Sequence, residues 1–145
     1  MYTDCAMQII VQKEQEYLLR FDRGENALDK LVEFCTSSDI KAAWFTGIGA
    51  ADEVILSYYN LPSKTYQDKT FAQEVEVLGI TGNIATLDGK TVYHCHGTIG
   101  NENYQVFGGH FKKLVVSATL EIHLSVFAGE IKRGFDEPTG LNLLQ

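Results

Sequence analysis

A chain of 145 residues, 45 % hydrophobic and 21 % charged, carries enough apolar side chain to bury a core, which excludes a wholly disordered polymer. Its 12 Lys and Arg against 19 Asp and Glu leave a formal charge of −7, with adjacent basic pairs only at Lys112-Lys113 and Lys132-Arg133. Duplex binding draws most of its affinity from cations that neutralise phosphates, so charge does not favour DNA as a partner.

No window is long and uncharged enough for a membrane span. The start, Met1-Tyr2-Thr3-Asp4, lacks a basic segment followed by an apolar one. A cytoplasmic location without membrane contact is expected. Cys5, Cys35 and Cys95 are odd in number, widely spaced and without a CxxC pair, so they read as reduced thiols rather than disulfides or a zinc ribbon. With no repeat, low-complexity tract or linker, one domain over residues 1–145 is expected.

In chain order, Tyr17-Leu18-Leu19-Arg20-Phe21 reads as a strand. Gly24-Glu25-Asn26 then opens a helix whose Ala27, Leu28, Leu31, Val32 and Cys35 fall on one face, ending at Ser37-Ser38. Ala42-Ala43-Trp44-Phe45 is a short strand, Gly47-Ile48-Gly49-Ala50 a tight small-residue turn, and Glu53 to Tyr59 a further strand. The turn lacks the third glycine of a dinucleotide fingerprint and the Lys-Ser/Thr of a phosphate loop. Asn60 to Thr65 is a loop. Val75 and Val77 alternate with Glu74 and Glu76, which places the two carboxylates on a solvated face. Asp88-Gly89 joins Ile84–Leu87 to Thr91–His94 as a hairpin. Leu120, Ile122, Leu124 and Val126 turn inward and Thr119, Glu121, His123 and Ser125 outward. Six or more strands and one principal helix imply an α+β fold with a mainly antiparallel sheet or open barrel.

Three of the four histidines lie between positions 94 and 110. On a strand, His94 and His96 point to one face and Cys95 to the other, with Cα atoms about 7 Å apart, a span two imidazoles close onto one ion. Gly108 and Gly109 permit the close backbone approach that would bring His110 to the same ion. Three neutral imidazoles leave a fourth position for water, the layout of a catalytic zinc site. The same spacing fits polar strand residues satisfied by hydrogen bonds, and spacing alone leaves the two readings level. A cupin-type site wants a carboxylate three or four residues after the second histidine, where Gly100 and Asn101 stand. His123, two residues from Glu121, fits a half-exposed strand position better than a partner to a ligand. Arg20, between Leu19 and Phe21, requires an anionic partner.

Taken together, several stretches resemble the PPC (plant and prokaryote conserved) domain family. They are Arg20-Phe21 with Gly24-Glu25, Thr46 to Ala50 running into Val54 to Tyr59, Glu74 to Ala85, His94-Cys95-His96, Val106 to Phe111, Glu121-Ile122 and Thr139-Gly140-Leu141. The likeness spans nearly the whole chain. It departs from the family pattern at His96 to Tyr104 and at Phe111, where Leu is usual. The resemblance implies a PPC-like fold, a homotrimer, and a zinc site at His94, His96 and His110. The resemblance assigns no activity; a zinc-bound water at that site would suit a hydrolase-like or lyase-like activity on a small polar ligand, with Glu25, Glu53, Glu74 or Glu121 as candidate general bases. Plant members sit beside AT-hooks and regulate transcription, so the alternative is a DNA-associated oligomerisation module, although no Arg-Gly-Arg-Pro hook occurs here. A third reading places a small ligand between subunits near Arg20 and Tyr58.

Overall fold

The computed structural model describes residues 7–145, so Cys5 lies outside the described residues. In chain order these residues form β1 (Gln8–Lys13), β2 (Glu16–Asp22), α1 (Ala27–Ser37), β3 (Ala43–Asn60), β4 (Thr65–Phe71), β5 (Val75–Leu87), β6 (Lys90–Gly100), β7 (Val106–Val126), β8 (Arg133–Asp136) and β9 (Leu141–Leu144). All pairings between these strands are antiparallel, and the mainly antiparallel fold with a single helix is as expected.

The long strands β3 and β7 form the spine, paired from Ala43↔Val126 to Ser57↔His110. Their remaining edges are shared out. β7 takes β2 along Thr119–Ser125 and β6 along Val106–His110, while β3 takes β5 along Ala43–Ala51 and β4 along Val54–Asn60. Because β5 also pairs with β6, the circuit β3-β5-β6-β7 closes on itself. Side chains alternate across each strand, and the enclosed face collects Phe45, Ile80, Ile84, Ile99, Phe111, Leu120 and Ile122, none more than 1 % exposed. α1 adds Ala27, Leu28, Leu31, Phe34 and Cys35 to that core; Phe34 is buried and Val32 only half-buried.

The hairpin at Asp88-Gly89 is as read, with Leu87 opposite Lys90 and φ of +50° and +77° at the two turn residues. That pair of positive angles matches the right-handed twist of the flanking strands. The turn expected at Gly47-Ile48-Gly49-Ala50 does not exist. β3 runs through it, with register shifts against β5 and β7. The small residues serve a close strand crossing instead: a Cβ on Gly49 would stand 2.1 Å from the Thr119 carbonyl oxygen.

Candidate metal centre

Alternation along β6 sets His94 and His96 on the outer face and turns Cys95 inward, where it is 1 % exposed. The β6–β7 register then places His96 opposite His110, and Phe111 next to it points into the core. On the flanking strands, Asn83 of β5 faces His94 and Ser57 of β3 faces His110. Two registers thus gather the three imidazoles, half-buried at His94 and His110 and exposed at His96.

Their ring centroids are 4.9, 5.3 and 5.4 Å apart, and one nitrogen from each lies within 4.8 Å of the others. The Nε2 atoms of His94 and His96 are 3.1 Å apart. Two ligands of a tetrahedral ion at 2.0–2.1 Å would be separated by about 3.3 Å, so this pair already has the right edge length. The Nδ1 of His110 is buried without a hydrogen-bond partner among the described residues, a cost that coordination to an ion would offset. Burial, then the charges of Arg133 and His96, lowers the His94 pKa. Burial, with His94, His96 and Lys112 behind it, lowers His110 to about 4. At neutral pH both are uncharged, the form in which imidazole donates to a metal.

Polar residues to which the sequence assigned no role at this site frame the cluster. The Tyr66 ring lies 5.2 Å from that of His110, and Lys112 Nζ sits 4.7 Å above Tyr66. Lys112 donates to both oxygens of Asp68 at 2.8 and 3.1 Å, and Ser57 Oγ donates to Asp68 at 2.5 Å. These bonds hold the Asp68 carboxyl below the usual carboxylate range. On the other flank, Arg133 Nη2 donates to Asn83 Oδ1 at 2.7 Å and Nη1 to the Asn142 carbonyl at 2.9 Å.

None of the four candidate bases belongs to the histidine cluster. Glu25 accepts from the backbone N–H groups of Met7 and Asp22, at 3.0 and 2.7 Å, and so braces the entry to α1. Glu53 pairs with Lys113 at 2.9 Å. Glu74 lines a separate groove of about 470 Å³ with Glu76, Glu102, Leu78, Tyr104 and Val106. Glu121 stands opposite Arg20 and Ile48 on a distant part of β7. His123 bonds to Glu16, not Glu121, and Arg20 finds its anion in Asp22 at 3.0 Å. Arg20 and Tyr58 lie towards opposite ends of the β3–β7 ladder, so one chain does not join them in a pocket. Cys35 and Cys95 are free and buried. No described helix is long and apolar enough to cross a membrane.

Comparison with known proteins adds a family to this geometry. A metal-containing protein from Archaeoglobus fulgidus shares 31 % identity over 97 % of this chain and 99 % of its own, with a TM-score of 0.84. A plant- and prokaryote-conserved (PPC) protein from Pyrococcus horikoshii shares 29 % over 100 % and 97 %, with a TM-score of 0.85. A protein from Bacteroides thetaiotaomicron, provisionally named DNA-binding, shares 26 % over 97 % and 98 %, with a TM-score of 0.92. No curated protein matches the chain. The sequence profile of the Plants and Prokaryotes Conserved (PCC) domain matches residues 9–128, and the chain belongs to that family.

Proposed function

We propose that His94, His96 and His110 hold a divalent metal, zinc by the chemistry of three imidazoles, in a homotrimer that acts on a small polar ligand. The observation that carries this reading is the convergence of three imidazole nitrogens, one of them the ring of a histidine whose buried Nδ1 has no partner. The metal content of the Archaeoglobus relative supports it. Bound zinc would supply a Lewis acid and bring the pKa of a coordinated water towards neutrality. The chain's own contribution is positional: the β6–β7 register aims the rings, and the Ser57–Asp68–Lys112 set fixes the charges beside His110. For the assembly, Leu18 of β2 and Trp44 and Ile48 of β3, the two strands that flank β7, are 38, 45 and 58 % exposed, apolar side chains that a second copy would cover.

The test is elemental analysis of untagged protein beside a His94→Ala/His110→Ala variant, with the mass in solution read by sedimentation. Near one ion per chain in the wild type, none in the variant, and three chain masses are expected. Metal absent from the wild type, or retained by the variant, overturns the site; a monomer overturns the trimer. A second reading, a DNA-associated regulatory module, rests on the provisional name of the Bacteroides relative. It requires a duplex shift at low salt that weakens steeply as salt rises, and a flat titration removes it.

A further inference from the structure

Arg133 stands beside the histidines without holding the ion itself. It comes from β8, outside the β6–β7 pair that carries the histidines, and its Nη2 donates to Asn83, the residue directly across from His94. Paired residues on antiparallel strands lie about 5 Å apart at Cα, so the guanidinium stands within one side-chain length of the cluster. Its positive charge reaches the His94 ring. Arg20, Lys112 and Lys113 each have a carboxylate partner; no carboxylate of the described residues comes within ion-pair distance of Arg133. Yet the side chain is anchored. Nη1 is spent on Asn142, Nη2 on Asn83, and Nε is buried without a partner. Of five N–H donors, one therefore remains free on each terminal nitrogen.

Charge points the same way. Three neutral imidazoles leave the two positive charges of an ion uncompensated, and Arg133 adds a third; the carboxylate on the other flank, Asp68, is engaged by Lys112 and Ser57. We propose that this site takes a small carboxylate, held by the terminal N–H groups of Arg133 while it faces the ion. The inference rests on the metal reading above. A guanidinium with a free N–H on each terminal nitrogen offers one donor to each oxygen of a carboxylate. The fork would also fit a phosphate, but the backbone beside His94, His96 and His110 is engaged in strand pairing and adds no N–H cradle to it.

The probe is cobalt(II)-loaded protein, whose visible absorption reports what enters the coordination sphere, titrated with acetate and with inorganic phosphate at constant ionic strength. A saturable spectral change with acetate, tighter than with phosphate, is expected in the wild type. Arg133→Met should retain one cobalt per chain and weaken acetate at least tenfold. Arg133→Lys, which keeps the charge and loses the fork, should fall between them and serves alone if the methionine variant does not fold. Cobalt retained with acetate affinity unchanged in either variant overturns the assignment to Arg133 and leaves the metal site standing. Phosphate binding more tightly than acetate overturns the ligand class. No cobalt in the wild type overturns the metal reading itself.

Discussion

Gly97 offers a sharp test of how closely β5 and β6 are held, because it lies between His96 and Thr98. An alanine Cβ there would stand 2.1 Å from the Gly79 carbonyl oxygen and 2.9 Å from the Ile80 Cα. Both are backbone atoms of the neighbouring strand, so no rotamer change relieves the clash. An ordinary carbon–oxygen contact is about 3.3 Å, which means the strands must part by about 1 Å. Losing about two ladder hydrogen bonds costs about 2 kcal/mol, and strain in the packing beneath adds about 1 kcal/mol more. Gly97→Ala should therefore be about 3 kcal/mol less stable than the parent. Gly79→Ala is the matched control: its Cβ meets nothing within 4 Å, and both substitutions reduce unfolded-chain entropy equally. In urea, with a slope of about 2 kcal/mol/M, the Gly97 variant's midpoint should fall by about 1.5 M at unchanged slope while the control stays within about 0.3 M of the parent. Metal content should fall too, because His96 moves with its neighbour. Equal midpoints for the two variants would refute the reasoning.

Two further outcomes separate structural from chemical roles. Glu25→Ala leaves the N–H groups of Met7 and Asp22 without their acceptor, and should cost about 2 kcal/mol in chemical denaturation while metal content holds; lost metal at full stability would return Glu25 to the site. Burial pushes the Cys35 and Cys95 thiols up to about 12, from an ordinary value of 9.0. The fold keeps them protonated, so their contribution to stability is complete below about pH 9 and is lost as pH rises towards 12. In a Cys5→Ser background, a thiol reagent at pH 8 should label neither until denaturant is added, and prompt labelling of the native protein would contradict the burial.

Much of this architecture is legible from side-chain period. The helical face from Ala27 to Cys35, the alternation from Leu120 to Val126 and the Asp88-Gly89 hairpin are local signals, and the structure keeps all three. The common face of His94 and His96 follows from the same arithmetic. Elements without an apolar rhythm left no such trace. β4 is exposed from Thr65 to Thr70 and owes its existence to the edge of β3. The small residues of Gly47 to Ala50 satisfy a turn and a tight crossing equally well, and only the position of Thr119 decides between them. Asp68 and Arg133 reach the cluster through pairings with Ser57 and Asn83 that no local pattern announces. The candidate general bases lie outside the histidine cluster for the converse reason: tertiary contacts, not local pattern, decide where each carboxylate is placed.

The ligand and core positions of β6 and β7 are interleaved, His94-Cys95-His96 on one strand and His110-Phe111 on the other. A slip of either strand by a single residue would exchange the two sets, sinking imidazoles into the core and stranding Cys95 or Phe111 in water. Fully burying a side chain as large as phenylalanine is worth about 2–3 kcal/mol, so an out-of-step pairing is suppressed by a factor of about a hundred from Phe111 alone. The spacing of the three rings is therefore enforced from behind, by residues that no ligand ever touches. Drift in the apolar side of these strands would degrade the centre as surely as loss of a histidine.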